Sequence, residues 1–245
     1  MKKFFIPGIN GLGNTKGVEK NKKFLEDFNF KEINLDLENI KVQLNQIYLS
    51  AKNFVHEKFF VLGGDHSISF PIMKAFFETY GSKSKLLIFD AHFDLMEPMP
   101  EPSHEEWLRG IIELGFDEKN ILIVGIRKES KNIDVQEINY AKEKQIKIIY
   151  PPDFKNKKEE ILNFVSSGKV YASFDIDVFD SLMVGSTGYP ESKGLGEEVF
   201  DLLEEIKKFF FGFDLVEINL EKGTEEEKKN TFKVGRKVLK TVLSE

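Results

Sequence analysis

The chain has 245 residues, 41% of them hydrophobic and 31% charged, with 24 Phe, no Cys, a formal net charge of −6 and a pI near 5.5. That composition supports a sizeable globular core and disfavours a nucleic-acid backbone as partner, because binding phosphates requires a positive surface. Disulfides and thiolate ligands are excluded, and Arg109, Arg127 and Arg236 are the only guanidinium groups, which leaves few candidates for bidentate carboxylate recognition.

From the amino terminus, Met1-Lys2-Lys3 starts like a signal sequence, but the apolar run Phe4-Phe5-Ile6 stops at Pro7-Gly8. No run approaches membrane-spanning length, so the expectation is a cytoplasmic protein without a membrane partner. Residues 3–6 read as the first strand. Gly8, Gly11 and Gly13 follow it as G-x-x-G-x-G, which does not match the dinucleotide spacing G-x-G-x-x-G. Then come a helix over 17–28, a strand over 32–35, a helix over 37–56, a strand over 59–62 and a helix over 67–80. Strands at 86–90, 121–125, 146–150 and 170–175 alternate with helices at 104–114, 135–144 and 157–165. A helix at 197–209 and a strand at 213–219 complete the series. Thr224 with Glu227 forms a capping box opening a terminal helix, whose apolar positions include Phe232, Val238, Leu239, Val242 and Leu243. This β-α alternation implies an α/β fold: three layers, α/β/α, around a central parallel sheet of eight strands, in one domain over residues 1–245. Residues 96–103 and 179–195 are longer loops, a common place for function.

Three segments place His or Asp just past an apolar run: Gly63-Gly64-Asp65-His66-Ser67, Asp90-Ala91-His92-Phe93-Asp94, and Ser173-Phe174-Asp175-Ile176-Asp177. In a parallel sheet such runs end on one edge, where loops carry ligand sites. Where the chain stays extended, residues two apart project to one side, so Asp90, His92 and Asp94 converge, as do Asp175 and Asp177. Four carboxylates in one pocket raise one another's pKa values unless cations compensate, and two divalent ions would balance them. A single Asp at a strand end is ordinarily a turn or capping residue. Three such segments, holding two of the four His (His56, His66, His92 and His104), point instead to a shared binuclear site.

In this order the motifs resemble those of the ureohydrolases, the arginase and agmatinase group of manganese enzymes. Lys16-Gly17-Val18-Glu19, Gly125-Ile126-Arg127, Thr187-Gly188-Tyr189-Pro190, Gly194-Leu195 and Asp214-Leu215-Val216-Glu217-Ile218-Asn219 extend the resemblance along nearly the whole chain. It implies that His66 and Asp94 bind one Mn²⁺ and His92 and Asp177 the other, with Asp90 and Asp175 bridging. It further implies that Asp94 orients the attacking water-derived nucleophile, Glu217 holds a substrate guanidinium, and His104 passes a proton to the departing amine. The implied partners are a small guanidine or amidine and further copies of the chain, in a trimer or hexamer.

The chain departs from the family pattern in its loops. Asp180-Ser181 replaces Asp-Pro, Gly185 stands where Pro is common, Glu105-Glu106 follows His104 where Gly is usual, and Leu220 follows Asn219 where Pro is usual. Met96 occupies the place of an arginase amide that helps bind the amino acid's carboxylate. Glu97, Glu101, Glu105 and Glu106 favour a cationic or neutral tail, placing agmatine-like guanidines ahead of arginine and formiminoglutamate last. Alternatives are a formiminoglutamase, a metal-dependent deacetylase of related fold, or a degenerate member that binds metal without turnover.

Overall fold

The computed structural model describes residues 1–10 and 15–244; Gly11 and Gly13 lie outside the described residues. Eight strands form one sheet: β1 (Lys2–Ile6), β2 (Lys31–Glu32), β3 (Phe59–Gly63), β4 (Ser84–Phe89), β5 (Ile121–Val124), β6 (Lys147–Ile149), β7 (Lys169–Asp175) and β8 (Phe210–Val216). Their order is β2-β1-β3-β8-β7-β4-β5-β6, and every pairing is parallel. The helices are α1 (Ile40–Phe54), α2 (Ser69–Tyr80), α3 (Trp107–Glu113), α4 (Val135–Glu143), α5 (Lys158–Val165), α6 (Glu198–Ile206) and α7 (Glu225–Leu243). No helix among the described residues is long and apolar enough to cross a membrane.

Strand alternation builds the two outer layers. Phe59, Val61, Leu86 and Ile88 face one side and pack against Ile47 and Phe54 of α1, Ile72 and Phe76 of α2 and Ile111 of α3. Phe60, Leu62, Leu87 and Phe89 face the other, against Phe164 of α5, Leu203 of α6 and Val238 of α7. Both faces are covered, which is why these strands read as continuous apolar runs rather than as alternating ones.

The register levels the strand ends. Phe89 stands opposite Phe174, and Asp175 opposite Val216, so Asp90, Asp175 and Glu217 leave the sheet at one height on neighbouring strands. β3 joins them through β8, with Leu62 opposite Leu215. The four central strands β3, β8, β7 and β4 thereby gather all three motifs and Glu217 along one carboxyl edge.

Several boundaries differ from expectation. The helix expected over 17–28 is a 3₁₀ helix, Val18–Asp27, broken at Asn21. The strand expected over 32–35 is β2, only two residues long, at the sheet edge, with Ile33 N–H adding one further bond to Phe5 O at 2.9 Å. β8 begins three residues earlier than expected and stops at Val216, because Glu217 adopts a left-handed φ of 64°. Helix α3 starts at Trp107, leaving His104 in the preceding turn. The capping box at Thr224 and Glu227 is present.

Gly64 is where the first motif passes β1. A Cβ there would lie 1.8 Å from the carbonyl oxygen of Gly8, and Asp65 N–H bonds to that same oxygen at 3.1 Å. We expect Gly64→Ala to cost about 1–3 kcal/mol by overpacking. At about 2–4 °C per kcal/mol for a chain of this size, calorimetry should show a melting temperature several degrees lower. An unchanged value would show that the two backbones can separate freely.

Candidate metal centre

Turns, rather than extended alternation, bring the motif residues together. β7 ends at Asp175, whose side chain accepts from Asp177 N–H at 2.8 Å and caps the 3₁₀ turn Ile176–Val178. Asp90 follows β4 and accepts from His92 N–H at 2.7 Å, while Asp94 sits at a left-handed φ of 53°. Asp65 behaves as a turn residue. One oxygen accepts from Ser67 N–H at 3.1 Å, and the other from Asn10 N–H at 2.8 Å and Thr15 Oγ1 at 3.3 Å.

His66 Nδ1 lies 3.0 Å from Asp90 Oδ2, 3.0 Å from Asp94 Oδ2 and 3.5 Å from Asp175 Oδ2. His92 Nδ1 lies 2.9 Å from Asp177 Oδ2 and 3.7 Å from Asp90 Oδ1. Two donor groups result, His66-Asp90-Asp94 and Asp90-His92-Asp177, which share Asp90 through its two oxygens. Adjacent donors of an octahedral ion with bonds of about 2.1 Å are about 3.0 Å apart, the spacing seen around His66 Nδ1.

The chemistry of the set agrees with divalent ions. His66 Nε2 meets Ser173 Oγ at 2.8 Å, and Ser173 donates onward to Asp214 Oδ1 at 2.7 Å, so Nε2 carries the hydrogen and Nδ1 turns its lone pair toward three carboxylates. Ser69 and Tyr171 also donate to Asp214. Burial, then Asp177, raises the Asp90 pKa; burial, then Asp90, lifts Asp94 to about 7; burial, then Asp177 and Asp90, raises Asp175 well above the carboxylate range. Burial acts to raise Asp177 too, but His92 and Arg127 hold it below its ordinary value. Burial alone would lower His66 and His92, yet the carboxylates around them raise both well above the ordinary imidazole value. Without cations the cluster must take up protons; a metal pair would replace them.

A cavity of about 300 Å³ opens over these residues. Glu217, 4% exposed, accepts from His66 N–H at 2.8 Å through Oε1, whereas Oε2 is buried with no hydrogen-bond partner among the described residues. Burial, then Asp65, raises its pKa well above normal. His104 also lines the cavity, stacks on Tyr189 with centroids 5.7 Å apart, and has neither ring nitrogen hydrogen-bonded among the described residues; burial lowers its pKa. All eight residues singled out from the sequence thus stand at one edge of the sheet, Asp90 just beneath the cavity and the other seven in its wall.

Three further residues at the site had no role assigned from the motifs. Arg127 is no carboxylate receptor: its guanidinium donates to the carbonyls of Gly125, Asp177, Val178 and Phe179 at 2.6–2.8 Å and latches the third motif's turn. Glu191, from the loop after that motif, sits 3.7 Å from His92 Nε2, held by Ser130 and Asn132 at 2.6 and 2.7 Å. Trp107 donates its indole N–H to Asp94 Oδ2 at 2.7 Å. Only the lone Trp count could have drawn attention to the last of these.

An eight-stranded parallel sheet with paired His and Asp donor groups at its carboxyl edge defines a parallel α/β protein with a candidate metal site. A family model described as the arginase family matches residues 12–244, and the chain belongs to that family. It is 35% identical over 167 residues to an N(1)-aminopropylagmatine ureohydrolase of Thermococcus kodakarensis, covering 66% of this chain and 54% of that protein. It is 32% identical over 165 residues to an agmatinase of Pyrococcus horikoshii, covering 64% and 53%. The chain thus spans about half the length of these curated relatives. Among solved structures, a proclavaminate amidino hydrolase from Streptomyces clavuligerus has a TM-score of 0.81 at 21% identity, covering 98% of this chain and 90% of that one. An arginase from Bacillus subtilis has a TM-score of 0.78 at 19% identity, covering 100% and 99%. At these identities the likeness establishes the fold.

Because Asp90, Asp94 and Asp175 are held above their ordinary pKa values, protons compete with a metal for them as pH falls. Mn²⁺ binding measured by calorimetry should release protons and weaken from about pH 8 to about pH 6. An affinity independent of pH across that range would contradict the assignment of these carboxylates to a cation.

Proposed function

We propose that the chain is a binuclear manganese hydrolase that cleaves a guanidino C–N bond and releases urea, in the cytoplasm and as a trimer or hexamer. His66, Asp90, Asp94 and Asp175 would hold one Mn²⁺, and Asp90, His92, Asp175 and Asp177 the other. The observation that carries this reading is the sharing of Asp90 between two donor groups, directly below a cavity into which Glu217 presents an unpartnered oxygen. When bound, the metals supply a lowered pKa for water and polarise the reacting group.

The protein's own groups perform the rest. Glu217 Oε2 accepts an N–H of the guanidinium by a charge-assisted bond, while His66 N–H fixes Oε1 and so the angle of approach. The binding of a cation favours the ionised carboxylate against the burial that raises its pKa. Asp94 orients the nucleophile at the planar guanidino carbon. As the C–N bond breaks, the leaving nitrogen needs a proton, and His104, kept neutral by burial, relays one taken from the attacking water.

The cavity wall favours an aminoalkyl guanidine over arginine. Among the described residues that line it there is no arginine; Met96 is there, and Glu105, Asp134 and Glu137 outnumber the one ammonium group, Lys131. The names of the two archaeal relatives point the same way, to agmatine and an aminopropyl derivative of it. The test is urea release by the Mn²⁺-loaded protein from agmatine, arginine, guanidinobutyrate and guanidinopropionate, with formamide release as the readout for formiminoglutamate. Agmatine should lead. Glu217→Gln should lower kcat/KM about 10- to 100-fold, the value of a hydrogen bond to a charged group. His104→Asn should lower kcat about 10²- to 10⁴-fold with metal content unchanged. No turnover of any of these by a chain holding two metals would contradict the enzymatic reading and support a degenerate member.

A further inference from the structure

Trp107 is the only tryptophan of the chain, is completely buried, and is the first residue of α3. Its indole N–H reaches Asp94 Oδ2 at 2.7 Å, and its ring lies over His66, with centroids 4.7 Å apart and planes inclined by 37°. Oδ2 is also the atom 3.0 Å from His66 Nδ1. The backbone of Asp94 is tied to the same helix, its carbonyl accepting from Arg109 N–H at 3.3 Å. Helix α3 therefore holds Asp94 at both ends, at a residue whose left-handed backbone gives it little support of its own.

An indole offers one donor and no acceptor, so it can face a carboxylate but cannot replace one as a ligand. Left without Asp94, that N–H would be a buried unsatisfied donor, costing about 1–3 kcal/mol. The interaction is also one-sided. Asp94 belongs to the donor group around His66, whereas among the described residues no hydrogen bond or ring contact joins Trp107 to the group around His92.

We propose that Trp107 is a positioning residue that clamps Asp94 and sets the affinity of the His66-side metal, leaving the His92-side metal unaffected. This rests on the reading of Asp94 as a metal ligand. The clamp makes the two sites unequal by construction: one has a rigid, indole-braced carboxylate, and the other relies on Asp177 and on Glu191 near His92. Because Trp107 is the sole indole, its fluorescence also reports occupancy of the adjacent site, since Mn²⁺ is paramagnetic and quenches at short range.

The experiment compares three metal-stripped proteins: wild type, Trp107→Phe, and the chain carrying β-(3-benzothienyl)alanine at position 107, which keeps the bicyclic shape and deletes only the N–H. Each is titrated with Mn²⁺, with bound metal counted by equilibrium dialysis and the spin-coupled pair followed by electron paramagnetic resonance. The proposal expects one of two binding steps to weaken about 10- to 100-fold in both altered proteins, the usual loss for an outer partner of a ligand. At limiting metal the altered proteins should show the mononuclear signal, and wild-type fluorescence should fall with the step they lose. Unchanged affinities in both would overturn the clamp, as would loss in Trp107→Phe with full retention in the benzothienyl protein, which would assign the effect to packing. A wild-type chain that takes up no Mn²⁺ would sink the metal reading itself, a failure distinct from wild-type binding that the substitutions leave unaltered.

Discussion

Four carboxylates, Asp90, Asp94, Asp175 and Asp177, are buried together at the carboxyl ends of two adjacent strands, and their mutual repulsion is the constraint on which the site depends. Burial and like charge push three of them toward their neutral forms, and the two imidazoles among them are drawn toward protonation. Protons can relieve this only by occupying the atoms that would serve as ligands. Two divalent ions balance four negative charges and leave both imidazoles neutral, which is the state that the Ser173–Asp214 relay prepares for His66. The same charge explains where the supporting groups lie: Arg127 beneath the third motif, with its guanidinium on three successive carbonyls, and backbone N–H groups pinning Asp90, Asp175 and Asp177.

Backbone geometry enforces the arrangement. Asp94 and Glu217, the two acidic side chains that the proposed chemistry asks most of, both sit at positive φ. Such conformations cost about 1–3 kcal/mol each for residues other than glycine and persist only where surroundings hold them. Glu217 N–H is tied to Gly64 O at 2.9 Å and its side chain to His66 N–H, so the final strand and the first motif fix one another. The sheet supplies the common height, and the turns supply the direction.

Much of this was legible in the residue order. Runs rich in β-branched or aromatic residues and bounded by turn residues marked the strands other than β2, and the alternation with helices implied the parallel three-layer fold. The larger differences are at the sheet-edge strand β2 and the 3₁₀ segment Val18–Asp27, where tertiary contacts rather than propensity decide, and at the shifted ends of β8 and α3. The residues that gather at the sheet edge were legible too, but not how they converge: Asx-type turns at Asp90 and Asp175 replace the expected extended alternation. Glu191 was invisible because its place depends on a long loop folding back through Asp180 and Leu195, which Arg127 anchors. Trp107 was invisible because thirteen residues separate it from the carboxylate it braces, and no periodicity encodes that reach.

We propose that two cations share Asp90 at the carboxyl edge of the sheet. Anomalous diffraction at the manganese edge, from crystals grown with Mn²⁺, tests it most directly. Two peaks are expected, one among His66, Asp90, Asp94 and Asp175 and the other among Asp90, His92, Asp175 and Asp177. A single peak, or peaks away from Asp90, would contradict it.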